Sequence, residues 1–167
     1  MSYFLWAGSA LATTLIPLSP DEVSERASQV LVATLAGTTV WREPGSGLIR
    51  TDLALADVEV LRGDVAPDHL TFTGGELGEL GMRVAGMPAW PIGQRVLLFV
   101  EGDGQSEACP VVGWGQGLYA VDPDGHLARS AGGWLAIDHS GGLLVVASEL
   151  QATTLGRIRS TFTAVRR

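Results

Sequence analysis

The chain has 167 residues, with 11 basic and 18 acidic side chains giving a formal net charge of −7, and every basic residue is arginine. Charged residues make up 17 % against a typical ~25 %, and apolar residues 46 %, which excludes a disordered acidic tail. A net negative chain without an arginine run interleaved with aromatics excludes nucleic acid as an expected partner, and the single cysteine, Cys109, excludes a disulfide framework and a Cys-based zinc finger.

One domain is expected at this length, and a chain of this size buries roughly 68–70 % of its unfolded surface without staples. The first twenty residues carry no charged side chain, and Ala10-Leu11-Ala12 reads as the small-x-small pattern before a signal-peptidase cut. Residues 1–12 are therefore expected to be a signal-peptide remnant, with a first strand or a membrane anchor as the other readings. The Gly, Ser, Thr and Pro within the run argue against ~20 continuous apolar residues, so no span is expected in the mature chain. Residues 13–167 are expected to form the single domain.

Ser19-Pro20-Asp21-Glu22 predicts a helix start, with Ser19 as N-cap, Pro20 at the first helical position and Glu22 closing a capping box. The helix is expected over Pro20–Ser28, presenting Val23, Ala27 and Val30 on its apolar side. The β-branched run from Val30 then predicts a strand through Trp41. Glu43-Pro44-Gly45-Ser46-Gly47 is a turn by composition, so the next run returns as the second half of a long hairpin. In it Ile49, Thr51, Leu53 and Leu55 alternate with polar or small residues, and the alternation then slips by one to Val58 and Val60. A one-residue slip within a continuing strand predicts a β-bulge.

His69–Thr73 reads as a strand. The octet Gly74–Gly81 holds four glycines and two carboxylates. It lacks the order of a phosphate loop and is expected to be a surface loop using positive φ. Arg95–Val100 predicts a central strand buried on both faces. Further short strands are expected at Pro110–Trp114, Gly117–Val121, Gly133–Ile137 and Leu143–Val146, with Asp122–Gly125 and Asp138–Gly142 as turns. A last helix is expected from about Leu155, capped by Thr153 or Thr154, with Leu155, Ile158, Phe162 and Val165 on one stripe and Arg166 and Arg167 near its negative end. Repeated short strands at this spacing point to a sandwich or barrel.

Chemistry is sparse. Asp122-Pro123-Asp124-Gly125 opens like a calcium loop but lacks the later acidic ligand, so a hairpin turn is expected. His69, His126 and His139 show no metal-ligand spacing; His126 and His139 with Asp124 or Asp138 are the nearest approach to a zinc set. Ser140 beside His139 has no G-x-S-x-G elbow around it. Glu76 with Glu79, and Asp122 with Asp124, are paired carboxylates expected to form a solvated rim. Of five tryptophans, Trp6, Trp41, Trp90, Trp114 and Trp134, most are expected in the core, and Pro-flanked Trp90 on a loop is the expected exposed anchor.

Leu18–Val23, Ala27–Ala33, Val58–Gly63, Gly74-Gly75, Gly81–Pro88, Gly93–Phe99 and Val112–Gly117 together resemble a family of uncharacterised exported bacterial β-domain proteins, over about residues 13–165. The same pattern is distantly similar to the netrin-like, OB-type barrel of tissue inhibitors of metalloproteinases: a long bulged strand ends in Val60-Leu61-Arg62-Gly63, and a later strand carries Val96-Leu97-Leu98-Phe99. That resemblance implies a mainly β fold, a closed or partly open OB-like barrel with a short N-terminal and a packed C-terminal helix. Those inhibitors reach the protease zinc through an amino-terminal cysteine, which this chain lacks, so no site residue is carried over.

The function expected is a secreted or periplasmic, non-enzymatic binding or envelope-interaction module. Its partner would be another protein, met by the loop Gly74–Trp90 and the aromatic strand ends around Trp114, with Trp90, Trp114, Glu76, Glu79 and Met87 as contact residues. Long loops in compact domains tend to be functional, which is the reason for choosing this one. No catalytic residue, metal or cofactor is expected. The alternatives are a regulator, inhibitor or pro-domain partner of an extracellular protease, and a small hydrolase using His139 with Asp138 or Ser140.

Overall fold

The structure, a computed structural model, describes residues 16–105, 108–129, 134–146 and 152–164. The expected signal remnant, Trp6, Val165, Arg166 and Arg167 lie outside the described residues.

Helix α1 (Pro20–Arg26) starts where the capping box places it. Ser19 Oγ accepts from the Glu22 N–H at 3.2 Å, and the Glu22 carboxylate accepts from the Ser19 N–H at 2.8 Å. These bonds to Ser19 hold the Glu22 carboxyl below its usual range. The helix stops short of Ser28, because Ala27 has turned to extended backbone. Val23 and Ala27 are buried, as their spacing indicates. From the next strand but one, Arg62 donates to the Ser24 carbonyl and, at 2.7 Å, to the Ala27 carbonyl, so a side chain distant in sequence satisfies the helix's last acceptors.

Strands β1 (Gln29–Arg42) and β2 (Ile49–Arg62) form the long hairpin, and β3 (His69–Thr73) pairs with β2. After a small hairpin of β4 (Gly75–Leu77) and β5 (Leu80–Met82), the chain returns as β6 (Arg95–Val100) on the other side of β1. Then β7 (Leu118–Val121), β8 (Leu127–Arg129), β9 (Trp134–Ile137) and β10 (Leu143–Val146) add outward one by one. The order is β10-β9-β8-β7-β6-β1-β2-β3, antiparallel throughout. Helix α2 (Leu155–Ala164) closes the described chain.

The slip in β2 is real. Between the pairs Val32↔Glu59 and Thr34↔Ala56, β2 advances one residue more than β1, and Asp57 there has φ +51°. The bulge lets Leu53, Leu55, Val58 and Val60 all meet one core although their spacing is out of step. A compensating extra residue on β1 lies between Leu35 and Gly37.

The central strands serve two cores. Val30, Val32, Leu97 and Phe99 face the side covered by α1 and α2, while Leu31, Ala33, Leu35, Val96, Leu98 and Val100 face the other. Burial on both faces is what the unbroken apolar run of β6 indicates. Leu155, Ile158 and Phe162 dock α2 onto the first core.

One expectation is narrowed and two need correction. Pairing does not close the sheet: it ends at β10 and β3. Beyond β3, the Thr71 and Thr73 N–H groups donate to the carbonyls of Gly104 and Ala108 at 2.9 and 2.8 Å. Pro110–Trp114 is not a strand; only Val111 bridges to Val100, because Gly113, Trp114 and Gly115 all have positive φ. The octet Gly74–Gly81 is no plain loop, since it holds β4 and most of β5, although Gly74, Gly75 and Gly78 do use positive φ.

Candidate functional site

The hairpin β4–β5 stands on two glycines. The Gly74 N–H donates to the Ile49 carbonyl at 2.7 Å, and its own carbonyl accepts from Thr51 Oγ1 at 2.6 Å. A Cβ on Gly75 (φ +136°) would lie 2.5 Å from Thr51 Oγ1 and 2.9 Å from Val40, so only glycine allows the arm to lie this close to β1 and β2. At the tip, Gly78 (φ +62°) supplies the positive φ that a two-residue hairpin turn needs at its first position.

Between this arm, the end of β3 and the segment 83–90 lies a cavity of about 870 Å³. Phe72, Met87 and Trp90 give it an apolar floor, Thr51 a hydroxyl, and Glu76 and Arg83 opposite charges on the arm side. The Trp90 ring packs on Phe72 with centroids 4.3 Å apart and planes 48° apart, a tilted aromatic contact. The segment that carries Trp90 is tied down beyond it, where the Gly93 N–H donates to the Leu35 carbonyl at 2.7 Å and the Leu35 N–H to the Gln94 carbonyl at 3.0 Å. The volume falls in the range of small-ligand pockets.

The structure thus brings together three of the five contact residues expected from sequence. Glu76, Met87 and Trp90 line the cavity. Trp90 is half-buried rather than a free surface anchor, because Phe72 lies beneath it. Glu79 is exposed at the tip of the arm. Trp114 sits in a left-handed backbone conformation (φ +58°) and packs on the same core without lining the cavity. The neighbouring Gly115 lies so close to Pro88 that a Cβ would be 2.8 Å from the Pro88 ring, so the two loops support each other. Phe72, Thr51 and Arg83 were missed; the first two are ordinary strand residues, and only pairing of β2 with β3 sets them at the cavity.

The remaining chemistry resolves into turns. Asp122 accepts the His126 N–H at 2.7 Å and the Gly125 N–H bonds the Asp122 carbonyl, an Asp–Gly hairpin turn. Asp138 accepts the Ser140 hydroxyl and N–H, both at 2.7 Å, and the Gly142 N–H at 2.9 Å. The Ser140 hydroxyl bond, first among these, holds the Asp138 carboxyl below its ordinary value. These bonds lie within the turn, and His139 beside Asp138 is exposed. Among the described residues no three His, Cys, Asp or Glu side chains are placed to hold a metal ion, and no helix is long and apolar enough to cross a membrane.

Comparison of the chain with family models, with curated proteins and with solved structures gives no match.

Proposed function

We propose that the chain is a non-enzymatic binding module that takes a protein partner at the cavity beneath the β4–β5 arm. The observation that carries this is the half-buried Trp90 ring, seated on buried Phe72 at the cavity between the arm and the segment 83–90. Buried aromatic anchors surrounded by a polar rim are where binding energy concentrates in protein interfaces. The uncharged first twenty residues, with Ala10-Leu11-Ala12 in small-x-small order, support placing the module outside the cytoplasm, with an envelope or extracellular protein as its partner. We also read β6-β1-β2-β3 and the loop beyond Val100 as a partly open barrel of the OB-like, netrin-like kind; the bonds from β3 to Gly104 and Ala108 support that reading.

The test is affinity capture from an envelope extract with the parent chain, with Trp90→Ala, and with Gly75–Met82 replaced by a short turn. Loss of a hot-spot aromatic is expected to weaken the retained complex by about 30-fold or more. Retention of the same proteins at equal affinity by both folded variants overturns the proposal.

A further inference from the structure

Gly81, in the middle of β5, is a glycine that this chain's own fold does not require. Its φ lies outside the left-handed region, and a Cβ there would meet only Glu76 Cγ, at 3.9 Å. Gly74, Gly75 and Gly78 of the same arm, by contrast, all use positive φ. A glycine within a strand weakens it, and often marks a place where another backbone comes close.

The edge beside Gly81 is open. β5 pairs with β4 alone, and Leu80, Gly81 and Arg83 are exposed. Leu77 and Leu80 close the two-residue turn as the hydrogen-bonded pair, so the next pair, Glu76 and Gly81, is a non-hydrogen-bonded one. In such a pair N–H and C=O point away from the neighbouring strand, and Gly81 thus offers one donor and one acceptor to an incoming strand. Gly81 also lines the cavity that Trp90 lines, so the side chain it lacks leaves room there.

Charge gives an incoming strand its direction. Glu79 stands two residues before Gly81 and Arg83 two after it, while Glu76 is opposite it on β4. None of these three is ion-paired with another described residue. The edge is acidic at the turn and basic at its far end.

We propose, resting on the binding reading above, that an extended segment of the protein partner adds to the edge of β5 in antiparallel order. A large apolar side chain of that segment lies across from Gly81 and enters the cavity. An acidic residue two positions before it faces Arg83, and a basic one two positions after it reaches Glu79. Main-chain bonds to Gly81 hold the segment, the apolar residue covers the bare glycine, and opposite charges fix the register.

The test is selection from a displayed library of linear seven-residue peptides on the full chain, then titration of the selected peptides followed by the Gly81 amide resonance and its hydrogen exchange. Selected peptides are expected to carry acid, apolar residue and base at alternate positions in that order, and to slow Gly81 exchange about tenfold or more. Gly81→Val, whose side chain suits a strand and whose Cβ has room, is expected to keep the urea midpoint and to weaken binding about tenfold or more. Arg83→Glu, at an exposed position, is expected to weaken it about two- to fivefold. Peptides that need Trp90 yet bind folded Gly81→Val as tightly as the parent would keep the cavity as the binding site and overturn strand addition. No binder, binders with the charges in reverse order, or unchanged Gly81 exchange overturns it as well.

Discussion

Cys109 shows how far burial governs one residue's chemistry. Its thiol is buried beside the Val111 carbonyl, and desolvation pushes its pKa up from 9.0 to about 11. The thiolate is the reactive form, so this cysteine is expected to label slowly with a disulfide reagent at pH 8 in the folded chain and rapidly in urea. The linkage has a definite sign: the folded chain holds the proton more tightly, so the contribution is complete below about pH 9 and is lost as pH rises toward 11. Urea midpoints at pH 8 and pH 10.5 should therefore fall more for the parent than for Cys109→Ala. Equal falls would show that the thiol is accessible. Trp114 is the other residue-scale exception, a bulky side chain held at φ +58° between two positive-φ glycines. A left-handed backbone costs an L-residue roughly 1–2 kcal/mol, and packing of the indole against the core offsets it.

At the scale of elements, the β2 bulge depends on Asp57. Its φ of +51° is one that aspartate tolerates, glycine favours and a β-branched residue resists. Asp57→Gly is expected to leave stability within about 0.5 kcal/mol of the parent or raise it, and Asp57→Val to lower it by about 1–2 kcal/mol, both measured by urea denaturation. If valine is tolerated as well as glycine, the bulge lies elsewhere. This element was readable because a slip in alternation needs only the local sequence. The arm β4–β5 was not, since its glycines carry no periodicity and its strands are three residues each. The three-residue β8 was missed for the same reason, its side chains being too few to set a pattern.

For the whole molecule, the energy lies in the layers rather than in the charges that decorate them. Ile158, fully buried where α2 meets the sheet, is expected to cost about 2–5 kcal/mol when cut to alanine. The neighbouring Arg159 clasps Glu59 with bonds of 2.6 to 3.0 Å, yet the two side chains are 41 % and 36 % exposed. Arg159→Ala is therefore expected to cost no more than about 1 kcal/mol. Thermal or urea unfolding of both variants checks the order, and a larger loss for Arg159→Ala would mean that α2 is held by the ion pair. Arg62 joins the layers differently: it serves the carbonyls of α1 while its guanidinium lies 5.6 Å from the centre of the Phe162 ring of α2.

The sequence by itself determined the elements whose causes are local. The Ser19–Glu22 capping box, the Glu43–Gly47 and Asp–Gly turns, the slip in β2 and the doubly buried β6 each follow from residues within one or two turns of chain, where steric and hydrogen-bond preferences act. Trp90, Met87 and Glu76 were legible as contact candidates from a Gly-rich loop and a Pro-flanked aromatic. Only the tertiary structure decided that the sheet stays open, that Phe72 lies under Trp90, and that Gly81 stands at a free strand edge. Those depend on which strands pair and in what register, and the register is set by bulges and by contacts between residues far apart in sequence, whose energy no local pattern encodes.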